Sequence, residues 1–361
     1  MKFLLILIVG LFWGRPLYGA EEESWKILLE QIPQNYIQQI STEEVAIRIL
    51  KSFDVLDKNL RVANDNNKIS LYYNGKLQKS LYKPQDINNI KKWVEICGEI
   101  LNVAMKKSSI AAQKDFRAVD LILTKAVNKF DADSKYYPGI TDEGRIKHRQ
   151  DFAARTNNEI LYIKIVIFNQ YTKENLLKYI KGRENLQGII MDLRASPGGD
   201  LAAAIEVADL FMDEGIIVSV KDKANKQTIY YTAKEGDITN ELPLVVLIDG
   251  ETASAAEVLA AALQEQSRAK IVGTSSFGKG TVQNLIFLPN GGVFSLSTAY
   301  YNTPSGKKIS GKGVIPDVCT FEMPESKDIE RLINSEYDAN CGKELRVDGF
   351  LEEKIAQKLL K

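Results

Sequence analysis

Ser254 stands in Glu251-Thr252-Ala253-Ser254-Ala255-Ala256-Glu257, and Lys279 stands downstream in Phe277-Gly278-Lys279-Gly280-Thr281-Val282-Gln283. A serine hydroxyl becomes a nucleophile once a base removes its proton. The chain has a single histidine, His148, far upstream in the polar, basic stretch Arg145–Arg149, where it reads as an exposed side chain. A lysine can act as the base instead if partial burial disfavours its ammonium form. Ser-Lys pairs are a recognised variant of the serine-hydrolase arrangement. The chemistry that suits these residues is acyl transfer through Ser254, with Lys279 moving the proton.

Each residue also has a plainer reading. Ser254-Ala255-Ala256-Glu257 is a capping box, and Lys279 between two glycines is an ordinary solvated loop lysine. The combination argues for more. A nucleophile at a helix start has N–H donors and a positive dipole end beside it, both of which favour a developing oxyanion. The Ala255 N–H is placed to be one donor. Ser196-Pro197-Gly198-Gly199 is a turn whose glycines allow close backbone approach, so Gly198 or Gly199 can supply the second. Gln283, four residues beyond Lys279, can orient the lysine. Asp249 reads as turn chemistry. No phosphate-binding loop or dinucleotide fingerprint follows the glycines.

The elements that must hold these residues change character along the chain. Residues 21–137 read as a mainly helical region. Ser41-Thr42-Glu43-Glu44 is a helix start, Ile69–Gln78 a hairpin turning at Asn74-Gly75, and Asp86–Met105 and Asp115–Phe130 return to helical spacing. From Glu159 strands alternate with helices: Ile160–Phe168, Gly188–Leu193, Leu244–Ile248 and Ala269–Gly273 as strands, Thr172–Lys181 and Leu201–Met212 as helices. That order predicts an α/β fold with a largely parallel sheet. Catalytic groups in such sheets gather at the carboxyl ends of strands, where the glycine turns and the Lys279 loop fall. Asp328–Tyr337 and Leu351–Leu360 read as amphipathic helices.

The ends and composition set the outer bounds. Residues 1–20 read as an export signal: Lys2, the apolar run Phe3–Phe12, then Tyr18-Gly19-Ala20 before Glu21. An uncleaved anchor is the alternative, although the run is about half of the ~20 residues that a span needs. Lys plus Arg number 47 and Asp plus Glu 47, a balance that calls for no nucleic acid. Of the three cysteines, Cys319 and Cys341 are the pair suited to a disulfide and Cys97 stands apart; three unpaired thiols are the alternative. No metal or cofactor is implied.

The chain resembles the carboxyl-terminal processing, or tail-specific, proteases, which are Ser-Lys endopeptidases on a crotonase/ClpP-like core. Thr252–Glu257 matches the nucleophile motif, with Ser254 at the nucleophile. Gly273–Gln283 matches the base segment, with Lys279 as base and Gln283 as its partner. Asp192–Gly199 is similar to the oxyanion segment, with Ala195-Ser196 replacing the usual asparagine-like pair. Tyr301–Lys307 and Gly311–Val318 match two later segments. Members usually carry a PDZ domain between helical start and core; here only residues 138–158 lie between, so the resemblance implies a chain without one. The expected organisation is a signal at 1–20, a helical region at 21–137, a linker at 138–158, a protease core at 159–320 and a helical tail at 321–361. The implied activity is cleavage of exported proteins or their C-terminal tails in a periplasm or other extracytoplasmic space, with membrane association possible. Implied partners are protein or peptide substrates, an activating adaptor, and a second copy met through terminal helices. A silent or partner-activated peptide-binding scaffold on the same fold is the alternative. Acyl-CoA chemistry on the related crotonase core is disfavoured by the export signal.

Overall fold

The computed structural model describes residues 17–108, 117–139, 151–183, 185–222, 228–234, 236–321, 329–334, 339–343 and 350–361. The export-signal reading at 1–16 and His148 lie outside the described residues. The chain divides into two compact units, Met1–Gly144 with Gln283–Ser297, and Arg145–Val282 with Thr298–Lys361.

The first unit holds helices α1 (Leu17–Asn35) and α2 (Thr42–Leu50), then strands β1 (Leu60–Asn64), β2 (Lys68–Tyr73) and β3 (Lys76–Tyr82). Helices α3 (Ile90–Lys107) and α4 (Ala118–Val127) and strand β4 (Lys135–Tyr137) follow. Apolar residues at helical spacing, Trp25, Leu28, Leu29 and Ile32 on α1 and Trp93, Ile96 and Ile100 on α3, face one core. The Asn74-Gly75 hairpin forms, with Asn74 and Gly75 both at positive φ. The sheet has a third antiparallel strand, β1, beyond the hairpin that the sequence pattern indicated. Only Leu60 of β1 is buried, which weakens the period-two signal that would mark it.

The second unit contains β5 (Phe152–Asn157), β6 (Ile160–Ile165), α5 (Thr172–Ile180), β7 (Gly188–Asp192), α6 (Leu201–Asp209), β8 (Ile216–Asp222), β9 (Thr228–Thr232), β10 (Leu244–Ile248), α7 (Ala255–Glu265) and β11 (Lys270–Gly273). Strands β12 (Thr281–Phe287) and β13 (Val293–Asn302) each pass from one unit into the other, and β14 (Val318–Cys319), α8 (Ile329–Ile333) and α9 (Phe350–Leu359) complete the chain. Its main sheet runs β14-β11-β10-β7-β6-β5. All its pairs are parallel except β5 with β6. Residues 152–157 of the expected linker are therefore an edge strand. Alternate residues of the central strands face opposite cores. Ile189, Met191, Val246 and Ile248 pack with α6 and α7, whereas Ile190, Val245 and Leu247 pack with Leu351, Ile355 and Ala356 of α9. Cover on both faces explains why these strands are uniformly apolar. A second, antiparallel layer pairs β9 with β8 and β8 with the end of β13.

Candidate active site

Parallel register aligns the ends of β7, β10 and β11: Asp192 lies opposite Leu247, and Ile248 opposite Gly273. The loops leaving them carry Gly198, Ser254 and Lys279, so three segments distant in sequence emerge side by side. Asp249 does the turn chemistry expected of it and more. Its carboxylate accepts the Glu251 and Thr252 N–H groups within its own loop, each at 3.0 Å, and the Ala195 N–H of the neighbouring loop at 3.0 Å. At the end of β7, Arg194 forks onto Asp192, Nε to Oδ1 at 2.9 Å and Nη2 to Oδ2 at 2.8 Å. Burial opposes ionisation of Asp192, but Arg194 and Lys164 outweigh it and hold the carboxyl below its ordinary range.

Ser254 occupies the turn between β10 and α7 at φ +57°, ψ −122°. A residue with a Cβ pays strain in that region, and such turns raise a nucleophile out of the backbone. Ala255, the first residue of α7, follows directly. Gly198 explains its own identity here. At φ +95°, a Cβ on it would lie 2.6 Å from Ala253 O and 2.8 Å from both Ala255 N and Ser254 Cβ. Gly199, at φ +135°, instead faces Phe168, whose carbonyl oxygen a Cβ would approach to 2.2 Å. Gly198 is thus the glycine brought against the serine, and Gly199 the one that lets its strand pass Phe168.

The base loop is held by a group that the sequence pattern presented only as a cap. Glu257 is 0% exposed. Its Oε2 accepts the Ser254 N–H at 2.8 Å and the Lys279 N–H at 3.1 Å, and its Oε1 accepts the Gly278 N–H and the Ser276 hydroxyl, both at 2.6 Å. One carboxylate therefore joins the backbone of Ser254 to that of Lys279. Burial raises the Glu257 pKa, and these hydrogen bonds offset only part of the effect. The available sequence signal is a lone acid within the otherwise apolar run Ala255–Leu263, all of it buried. Lys279 and Ser254 are half-buried. Gln283 is half-buried on β12, the strand that leaves the lysine loop.

A disulfide joins Cys319 to Cys341, which decides between that pair and the alternative of three unpaired thiols, and it brings the tail to the same loop. The Ser275 N–H donates to Gly342 O at 2.8 Å, and Lys343 Nζ donates to Phe277 O at 2.8 Å. Cys97 is buried and free; burial pushes its thiol up to about 12.

Residues 159–320, which carry the strained Ser254 turn, match the sequence profile of Peptidase family S41. The chain is 39% identical over 214 residues to the carboxy-terminal-processing protease of Bartonella bacilliformis, covering 56% of this chain and 48% of that one. It is 35% identical over 213 residues to carboxy-terminal processing protease CtpA of Bacillus subtilis, covering 58% and 44%. It thus spans about half the length of the curated relatives it matches. Among solved structures, a lipoprotein from Streptococcus agalactiae is 16% identical, with a TM-score of 0.57 over 86% of this chain and 94% of that one; this likeness concerns the fold. The matched residues 159–320 include Ser254, Lys279, Gly198, Gly199, Ala255 and Gln283, all the residues that sequence reasoning nominated.

Proposed function

We propose that this chain is a serine endopeptidase of the carboxyl-terminal processing type, acting through Ser254 and Lys279. Ser254 Oγ attacks the scissile carbonyl carbon while Lys279 takes the hydroxyl proton. The Ala255 N–H, with that of Gly198 or Gly199, holds the oxyanion. Collapse breaks the C–N bond, and the amine leaves with the proton from Lys279. Water then hydrolyses the acyl-enzyme with the same lysine as base. Gln283 positions Lys279. The observation that carries this reading is the Glu257 carboxylate, which clamps the strained Ser254 turn and the Lys279 loop together.

The substrates in this reading are exported proteins or their C-terminal tails, in keeping with the names of the relatives. The Cys319–Cys341 disulfide favours an oxidising, extracytoplasmic compartment. Among the described residues no helix is long and apolar enough to cross a membrane. Helix α9 buries Leu351, Ile355 and Ala356 against the main sheet and leaves Phe350 exposed.

The test is degradation of casein by the full chain beside Ser254→Ala and Lys279→Ala. Turnover by the parent and its loss in both variants is the expected result. Turnover that survives in Ser254→Ala would sink the mechanism, and an inactive parent would favour a partner-activated protease or a peptide-binding scaffold.

A further inference from the structure

One buried residue is bonded both to the glycine after Lys279 and to the Glu257 carboxylate that holds the Ser254 turn, and the mechanism above gives it no role. Tyr301, on β13, is 2% exposed. Its N–H donates to Gly280 O at 3.1 Å, and its hydroxyl accepts the Gly280 N–H at 3.0 Å. A single residue thus satisfies both backbone groups of the glycine that follows Lys279. The same hydroxyl donates to Glu257 Oε2 at 3.3 Å.

The hydrogen-bond inventory of a phenol decides how these contacts are used. It has one proton to give and can accept more than one. The Gly280 N–H occupies one acceptor position, so the phenol proton points to the Glu257 carboxylate, which can only accept. Burial, and then the nearby Glu257 charge, raise the phenol pKa well above its ordinary value, so Tyr301 stays protonated and does not compete with Lys279 as a base. With Glu257 it completes a run of three pinned amides, Gly278 and Lys279 on the carboxylate and Gly280 on the phenol.

We propose that Tyr301 is a positioning residue for acylation, its hydroxyl and backbone fixing the Lys279 loop against the Glu257 carboxylate that holds the Ser254 turn. This inference rests on the peptidase reading. In effect, the phenol completes the alignment that Glu257 begins.

The test uses the full chain and Tyr301→Phe, which keeps the ring and removes the oxygen. Two readouts are compared: the rate at which a fluorophosphonate labels Ser254, and kcat and KM for an unstructured peptide. The expected result is slower labelling and a lower kcat, each by about 10- to 100-fold, with KM little changed, because misplacement of a nucleophile acts on the chemical step. Labelling and kcat at the parent's values would overturn the role of Tyr301 while leaving the peptidase reading intact. A folded parent that labels at no serine would overturn both. If the variant melts near the assay temperature, labelling at a lower temperature, where circular dichroism shows both chains folded, gives the same decision.

Discussion

Two helices of this chain begin with the same Ser-x-x-Glu pattern and use it differently. Ser41 opens α2 and Ser254 opens α7, and in each the glutamate reaches back to the serine N–H at 2.8 Å. At α2 the serine backbone is extended, with φ −87° and ψ 162°, and its hydroxyl accepts the Glu44 N–H at 3.2 Å. Glu44 is exposed, and the hydrogen bond from the Ser41 N–H holds its carboxyl below the ordinary range. At α7 the serine is strained and the glutamate is buried, with its pKa raised. The motif supplies the same local bond in both places. What differs is that β10 and β11 end side by side, which delivers three more donors to Glu257 and none of them to Glu44.

Exchanging each glutamate for glutamine should separate the two boxes most sharply. An amide cannot accept from all the donors around Glu257, and a nucleophile displaced by about 1 Å loses on the order of 100-fold in rate. Glu257→Gln is therefore expected to lower kcat/KM for a peptide by about 100-fold, and Glu44→Gln to leave it unchanged. Equal effects in the two variants would dissolve the comparison.

The same pair predicts opposite pH signs in stability. Glu44, with a lowered folded-state pKa, adds stability that is present above its unfolded pKa and is lost as pH falls through the folded value. Glu257, with a raised folded-state pKa, adds stability that is present below its unfolded pKa and is lost as pH rises through the folded value. Denaturant midpoints of parent and variants across the carboxylate range and somewhat above it would read this out. A difference of the same sign at both sites would contradict it.

Gly198→Ala tests the approach of the oxyanion turn to Ser254. The new methyl would meet backbone at 2.6 to 2.8 Å, so kcat should fall at least about tenfold through misplacement of the turn. Gly306→Ala is the control. It also has a positive φ, but nothing lies within 4 Å of its Cβ position, so activity should persist at a small cost in stability.

Smaller effects follow from the tail and from α2. Cleaving Cys319–Cys341, whose sequence separation is 22, should cost about 3 kcal/mol of stability, seen as a lower Tm under reductant. Activity should decline as the hydrogen bonds from Ser275 and Lys343 loosen; an unchanged Tm would show that the segment is held without the bond. Ser41→Ala should cost about 1 kcal/mol by denaturant titration and leave turnover untouched, the smallest change of all.

Much of this was legible from residue order. Continuous apolar runs bounded by glycine turns marked β6, β7, β10 and β11, and helical spacing marked α2 to α7. The pairing of a small-residue serine turn with a Gly-Lys-Gly loop marked Ser254 and Lys279, because strand ends are where a parallel sheet exposes its loops. Cysteine position marked Cys319 and Cys341. These signals are local, or depend only on which elements follow one another.

Other features required the tertiary structure. Tyr301 and Glu257 hold the Gly278–Gly280 loop only because β13 and α7 converge on it, and no spacing in the chain encodes that distance. Nor does the pattern of α9 say what it covers. An amphipathic helix requires a partner for its apolar face, and only the packed sheet shows that Ile190, Val245 and Leu247 supply it. The sequence by itself nominated the side chains proposed for the chemistry, since that choice depends on residue type and order. The tertiary structure decided which groups hold them in place, since burial and hydrogen bonding arise only when distant segments are brought together.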